Sequence, residues 1–348
     1  MKYDVNIDLA NSAKKDMAEY LRGSDKILSN LNSFACLYDI VRLKDFEHPV
    51  LVLKTEEPGS KQLIAMQYDR IEGVCYDMIN HLINDCIATG AIPLAVQDAI
   101  ICGRMDKSIV NRIVKAIAAA CAENGCVLTG GETSEQPKVI DDGTYILTSS
   151  IVGIVEKRDI IDGSEIARGD VVLGVASNGV HTNGYTLIRS IMAQTPGILE
   201  ETVDGKSFID AVLVPHMCYY NAVKDLFGKQ VLKGLAHITG GGIKENLNRV
   251  LPSGDSGAPG VDAVIDLGAY NIPAVFKILK KYGRLEDKEM LRTFNMGVGL
   301  AAVVSSENAA AVIGHINKSG IEAGIIGKIV KGSGQVECRG EFVWRDGG

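Results

Sequence analysis

Three consecutive glycines, Gly240, Gly241 and Gly242, stand directly before a helix-like run from Ile243 to Val250. Glycine admits backbone angles and close approaches that a Cβ would block. A helix start adds unpaired N–H groups and a partial positive charge, so the combination suits a phosphate. Alone, the same residues also describe a flexible loop with a helix cap behind it. Related punctuation recurs elsewhere. A strand from Cys126 leads into Gly130-Gly-Glu132, and the strand Val171 to Ala176 runs into Ser177-Asn-Gly-Val-His-Thr-Asn-Gly184 before another helix. Both halves of the chain thus alternate strands and helices with glycine loops at strand ends, which predicts α/β or α+β layers.

At 348 residues the chain is long for one core, and two domains are expected. The polar, turn-rich segment from Ile160 to Asp170 places the boundary, giving domains 1–165 and 166–348. Net charge is −7 with no long basic run, which argues against nucleic-acid binding and against a broad basic field for phosphates. Local glycine loops and a metal ion must then hold any phosphate. No apolar run reaches the ~20 residues of a membrane span, and the N-terminus lacks the apolar core of a secretory signal. The eight cysteines sit mostly in apolar segments without Cys-x-x-Cys or finger spacing. Neither a zinc site nor a disulfide framework is expected from them, and the cytoplasm is the expected location.

Several residue patterns carry chemistry. Asp77, His81, Asn84 and Asp85 fall on one face of a helix expected from about Cys75 to Thr89. Oxygen donors on one face suit a hard cation such as magnesium, and the same spacing also describes a solvated polar stripe. His81 reads as structural. Val96-Gln-Asp98 reads as a strand end. Glu132 stands beside the paired glycines Gly130 and Gly131, where the backbone can approach a ligand. His237 and Thr239 precede the triple glycine on the same rim, and Asn295 can both donate and accept.

The longer strings resemble the phosphoribosylformylglycinamidine cyclo-ligase (aminoimidazole ribonucleotide synthetase) family. Gly234-Leu-Ala-His-Ile-Thr-Gly-Gly-Gly242, Ser177 to Leu187 and Arg292-Thr-Phe-Asn-Met-Gly-Val-Gly299 are similar to its motifs. So are Gly130-Gly-Glu-Thr-Ser-Glu-Gln-Pro137 and Asn84-Asp-Cys-Ile-Ala-Thr-Gly-Ala-Ile-Pro-Leu94. The resemblance runs almost without gaps from about residue 34 to 330. Departures gather in the first half. Thr55-Glu-Glu-Pro-Gly-Ser-Lys61 stands where the family has Thr-Asp-Gly-Val-Gly-Thr-Lys, so Glu56, Glu57 and Pro58 replace aspartate, glycine and valine. Ile146 replaces an aspartate, Thr148-Ser-Ser150 replaces Ala-Gly-Phe, and the family's glycines around Phe34 are missing. Glu57 lacks the freedom of glycine and is further restricted by Pro58.

The resemblance implies a two-domain α/β (α+β) fold with the N-terminal sheet at a homodimer interface. It implies ATP-dependent cyclisation of formylglycinamidine ribonucleotide to aminoimidazole ribonucleotide in purine biosynthesis, with Mg2+. On this reading Asp85, Glu132 and His237 are catalytic, and Glu56, Asp85 and Glu132 hold the metal. Glu56, Gly59, Ser60, Lys61, Asn84, Gly130 and Gly131 bind the nucleotide. His181, Asn183, Gly184, Thr239, Gly240, Gly241, Gly242 and Asn295 bind the ribonucleotide substrate. The arm formed by residues 1–30 would reach across the substrate site. Two other readings stay open at this point. One is a divergent relative that binds a ligand or nucleotide without this chemistry, and the other acts on a different small substrate.

Overall fold

The structure is a computed structural model that describes residues 24–28, 34–254 and 259–344. The arm expected to reach across the substrate site therefore lies largely outside the described residues. So does the centre of the glycine-rich loop Pro252–Pro259.

Two compact units form. The first comprises the described residues up to Pro58 together with Ala65–Cys86 and Ala91–Arg158. The second comprises Gly59–Ile64, Ile87–Gly90 and the chain from Asp159 onward.

In the first unit, strands β1 (Pro49–Glu56), β2 (Ile92–Cys102), β3 (Val127–Glu135) and β4 (Tyr145–Glu156) form one sheet in the order β1-β4-β2-β3. β2 and β3 are parallel and the other pairs antiparallel. A parallel pair needs a crossover, here the helix Lys107–Glu123. It starts where the Asp106 carboxylate accepts from the Ser108 and Ile109 amides at 2.8 and 3.2 Å, a cap worth about 1 kcal/mol. Val110, Ile113, Val114, Ile117, Ala120 and Cys121 form its buried stripe. The helix Ile71–Ile87 begins one turn earlier than the sequence suggests and stops before Gly90. It lies on the face of β4 that carries Gly153, where an added Cβ would run into the Cys86 thiol. Asp98 is inside β2 and not at a strand end.

The second unit holds a six-stranded sheet in the order β13-β9-β12-β5-β11-β8, antiparallel except where β13 meets β9. Its strands are β5 (Val171–Ala176), β8 (Gly234–His237), β9 (Val261–Asp266), β11 (Val298–Val304), β12 (Ala323–Lys331) and β13 (Val336–Arg339). The short strands β6 (Thr202–Val203) and β7 (Lys206–Ser207) form a hairpin, and β10 (Asn271–Ile272) pairs with β14 (Val343–Trp344). β11 is buried at every position, as an apolar strand covered on both faces should be. Ile243 and Leu247 of the short helix Gly242–Leu247 pack with Val172, Ala301, Val303 and Ile326 in one apolar cluster. Among the described residues no helix is long and apolar enough to cross a membrane. All eight cysteines are free thiols.

Candidate active site

The polar stripe on the Ile71–Ile87 helix is not solvated. Asp77 and Asn84 are fully buried and His81 nearly so. Asp85 faces the end of β1, and the Lys54 ammonium bridges it to Glu56 at 3.0 and 2.6 Å. His81, read from sequence as structural, lies 3.8 Å from a carboxylate oxygen of each acid. Burial pulls the Lys54 pKa down, but hydrogen bonds to Glu56 and Asp85 outweigh it and the pKa is raised. Two carboxylates already gathered around one cationic nitrogen are a donor set that fits magnesium. Here the cation they hold is that of Lys54.

A row of paired residues crosses the sheet from there. Glu56 stands opposite Ser149, Ser149 opposite Asp98, and Asp98 opposite Gly131. Directly opposed residues share a face, so the row presents Glu56, Ser149 and Asp98 to the helix-covered side. An added Cβ on Gly131 would collide with the Asp98 carboxylate and carbonyl, so only glycine lets the strands close there. Part of Asp98 remains accessible, yet desolvation pushes its carboxyl up to about 7. Asp98 is the functional candidate that the strand-end reading passed over. A lone acid within the apolar run Leu94 to Ile101 was the available signal.

Glu132 separates from its expected partners. It follows Gly131 on β3, so alternation turns it to the opposite face from Asp98, where it is exposed. β1 and β3 are the two edges of the sheet, so three strand spacings, about 14 Å, part the backbones of Glu56 and Glu132. The structure thus brings Glu56 and Asp85 together and sets Glu132 apart. The altered residues have local partners. Thr148 Oγ1 donates to the Glu56 carbonyl at 3.1 Å, and the Ser150 and Thr55 hydroxyls lie 2.8 Å apart. Ile146 is partly exposed on the outer face.

The expected nucleotide residues divide between the units. Glu56, Asn84, Gly130 and Gly131 belong to the first, and Gly59, Ser60 and Lys61 to the second. Ser60 Oγ lies 3.4 Å from Thr186 Oγ1. Lys61 is fully buried, with its ammonium donating to the carbonyls of His181 at 3.1 Å and Val214 at 2.7 Å and lying over the Tyr185 ring.

Within the second unit the loops after β5 and β8 converge. An added Cβ on Gly240 would sit 3.2 Å from Asn183 Oδ1. Gly241 and Gly242 take φ of +90° and +63°, and a Cβ on Gly242 would strike the Leu291 carbonyl. Asn246 ties this turn from inside the following helix. Its amide nitrogen reaches the carbonyls of Gly242, Gly240 and Thr239 at 2.8, 3.1 and 3.4 Å, and its oxygen accepts from Thr239 Oγ1 at 3.3 Å. Asn295 does the same for the other loop. It donates to the Gly179 carbonyl at 2.8 Å and accepts from Ser177 Oγ and the Gly297 amide at 3.0 and 2.9 Å. Gly184 caps the helix Tyr185–Gln194 at φ +83°.

His181 holds φ +62°, an uncommon value outside glycine. Its ring stacks on His216 with centroids 3.9 Å apart, and His216 Nε2 lies 3.0 Å from His237 Nε2. His216 belongs to no motif in the sequence and was not expected here.

Family comparison agrees with this architecture. Residues 39–155 match the family model described as AIR synthase related protein, N-terminal domain, and residues 167–339 match its C-terminal counterpart. The fold and its glycine loops therefore define an AIR synthase related protein of two domains. Among solved structures, thiamine-monophosphate kinase from Stenotrophomonas maltophilia K279a superposes with a TM-score of 0.68 at 16% identity, covering 94% of this chain and 95% of that one. The hydrogenase maturation protein HypE in complex with ATP gives 0.66 at 16%, covering 97% and 92%. Both speak to fold alone. The phosphoribosylformylglycinamidine cyclo-ligase of Bacillus cytotoxicus is 37% identical over 335 residues, 95% of this chain and 94% of that one. That of Caldanaerobacter subterraneus subsp. tengcongensis is 38% identical over 344 residues, covering 97% and 99%. The chain belongs to the phosphoribosylformylglycinamidine cyclo-ligase family.

Proposed function

We propose that the protein catalyses the ATP-dependent closure of formylglycinamidine ribonucleotide to aminoimidazole ribonucleotide, a step of purine biosynthesis in the cytoplasm. The carrying observation is 38% identity to a cyclo-ligase across nearly the whole length of both chains. ATP supplies the phosphoryl group that activates the formyl oxygen, and Mg2+ neutralises charge on the phosphates. Such chemistry asks the protein for positioning and electrostatics more than for a strong base.

Glu56 and Asp85 would hold the magnesium in place of the Lys54 ammonium. Gly130, Gly131 and Glu132 on β3 would meet the end of the nucleotide remote from the metal, and Asn84 steadies the helix behind Asp85. Gly59 and Ser60 lie on the nucleotide loop. His181, Asn183, Gly184, Thr239 and Gly240 to Gly242 receive the ribonucleotide, with His237 beside its reacting end. Lys61 and Asn295 act as positioning residues for the Ser177–Gly184 loop, since their polar atoms already engage its backbone.

The outer face of the first unit's sheet supports a homodimer. Leu51 and Leu53 on β1 are 56% and 71% exposed and Ile92 on β2 is 42% exposed, an apolar strip on an edge strand and its neighbourhood. Exposed apolar strips of this kind mark interfaces.

ADP release by the purified protein with ATP, Mg2+ and formylglycinamidine ribonucleotide tests the reading, with Glu132→Ala as control. Substrate-dependent turnover lost in the control is expected. Absence of turnover from folded, dimeric protein would overturn it and leave a ligand-binding relative.

A further inference from the structure

We propose that His181, His216 and His237 form a binding site for one borderline divalent transition-metal cation such as zinc. This goes beyond the cyclo-ligase reading and does not depend on it. The three imidazoles come from three separate segments of the second unit: the loop after β5, the stretch between Val212 and Tyr220, and the end of β8. All three are buried, and their candidate ligand nitrogens lie within 4.8 Å of one another.

The pair His216 and His237 is nearly arranged for a metal. Their Nε2 atoms face each other at 3.0 Å. Two neutral imidazole nitrogens at that distance share one proton, and a dication can take its place when that proton shifts to the Nδ1 of its own ring. Zinc–nitrogen bonds of about 2.0–2.1 Å give a tetrahedral N···N edge of roughly 3.3–3.4 Å, so the pair has only to part by a few tenths of an ångström. Thr182 Oγ1 lies 3.3 Å from His216 Nδ1. That contact orients the ring and leaves Nε2 as the ligand atom, the arrangement typical behind metal-bound histidines. His181 is the third ligand. Its ring, stacked on His216 with 23° between planes, must turn about its side-chain torsions to join. Gly299 lets the His181 ring lie against the backbone of β11, since a Cβ there would press on that ring and collide with the Tyr219 hydroxyl.

The chemistry of the donors selects the ion. Neutral imidazoles suit zinc, cobalt, nickel or copper and disfavour magnesium. Three protein ligands leave one position for water or a ligand oxygen. No carboxylate belongs to the set, and the Lys61 ammonium bonds to the carbonyl of His181. Protons compete for the same ring nitrogens, so affinity that falls with acid is expected.

The test uses chelator-treated full-length protein titrated with Co2+. One equivalent per chain is expected, with the intense visible bands of a four-coordinate ion, displacement by Zn2+ and indifference to excess Mg2+. His216→Gln should weaken binding by about 100-fold or more, and Thr182→Ala by about 10-fold. A pale six-coordinate spectrum, or equal binding by wild type and a folded His216→Gln, would overturn the proposal and leave three mutually packed core histidines. Should His216→Gln not fold, Cu2+ electron paramagnetic resonance on the wild type decides: two or three imidazole nitrogens support the site, and oxygen ligation alone refutes it.

Discussion

The Lys61 ammonium donates to the carbonyl of His181 at 3.1 Å, and so a fully buried lysine pins the residue that turns the loop at φ +62°. A non-glycine residue in the left-handed region is held against a cost of roughly 1–2 kcal/mol. Lys61→Met keeps the apolar stem but leaves two buried carbonyls without this donor. A loss of about 2–4 kcal/mol is expected from urea denaturation, together with a raised KM for the ribonucleotide. An unchanged urea midpoint would show that the ammonium is not what fixes the loop.

Asp98 makes stability depend on pH. Its folded pKa, about 7, lies above its ordinary value. The folded state therefore keeps a proton that the unfolded state loses, and stability falls as pH rises from about 4 through about 7. Asp98→Asn should flatten that slope, by on the order of 1–2 kcal/mol between about pH 5 and pH 8, because the residue keeps some contact with solvent. Parallel slopes for the two proteins would remove Asp98 as the cause.

Asn246 shapes the glycine turn from behind. Asn246→Ala should raise KM for the ribonucleotide more than it lowers kcat and should cost about 1–3 kcal/mol of stability. Steady-state kinetics separate this from direct catalysis, which would appear as a fall in kcat at constant KM.

Leu53→Glu places a charge in the exposed apolar strip of β1. Should that strip form the proposed homodimer, sedimentation is expected to show a dimer for the parent protein and a folded monomer for the variant. A dimer that persists would move the interface elsewhere.

Local chemistry was readable in the chain, and non-local pairing was not. The glycine turn at Gly240 announced its loop, whereas Gly130 and Gly131, read as a loop at a strand end, lie inside β3 because pairing with β2 carries the strand on to Glu135. The face on which Glu132 stands depends on its register with β2, which no local pattern encodes. Asp98 read as a strand end, yet β2 runs on to Cys102 with a partner strand on each side. His216 lies outside every motif, and only folding brings it against His181 and His237. Lys61 and Asn295 have donors suited equally to a phosphate or to a backbone carbonyl, and their surroundings decide which they meet.

The place of β5 in its sheet bears on how the chain is made. Both neighbours of β5, β11 and β12, are encoded far downstream. During synthesis β5 leaves the ribosome early and must wait with two bare edges for most of the C-terminal half to emerge. Unpaired apolar strands in that interval invite association between nascent chains. Slow translation, low temperature or chaperone supply should therefore govern the yield of soluble protein more than changes to surface residues would.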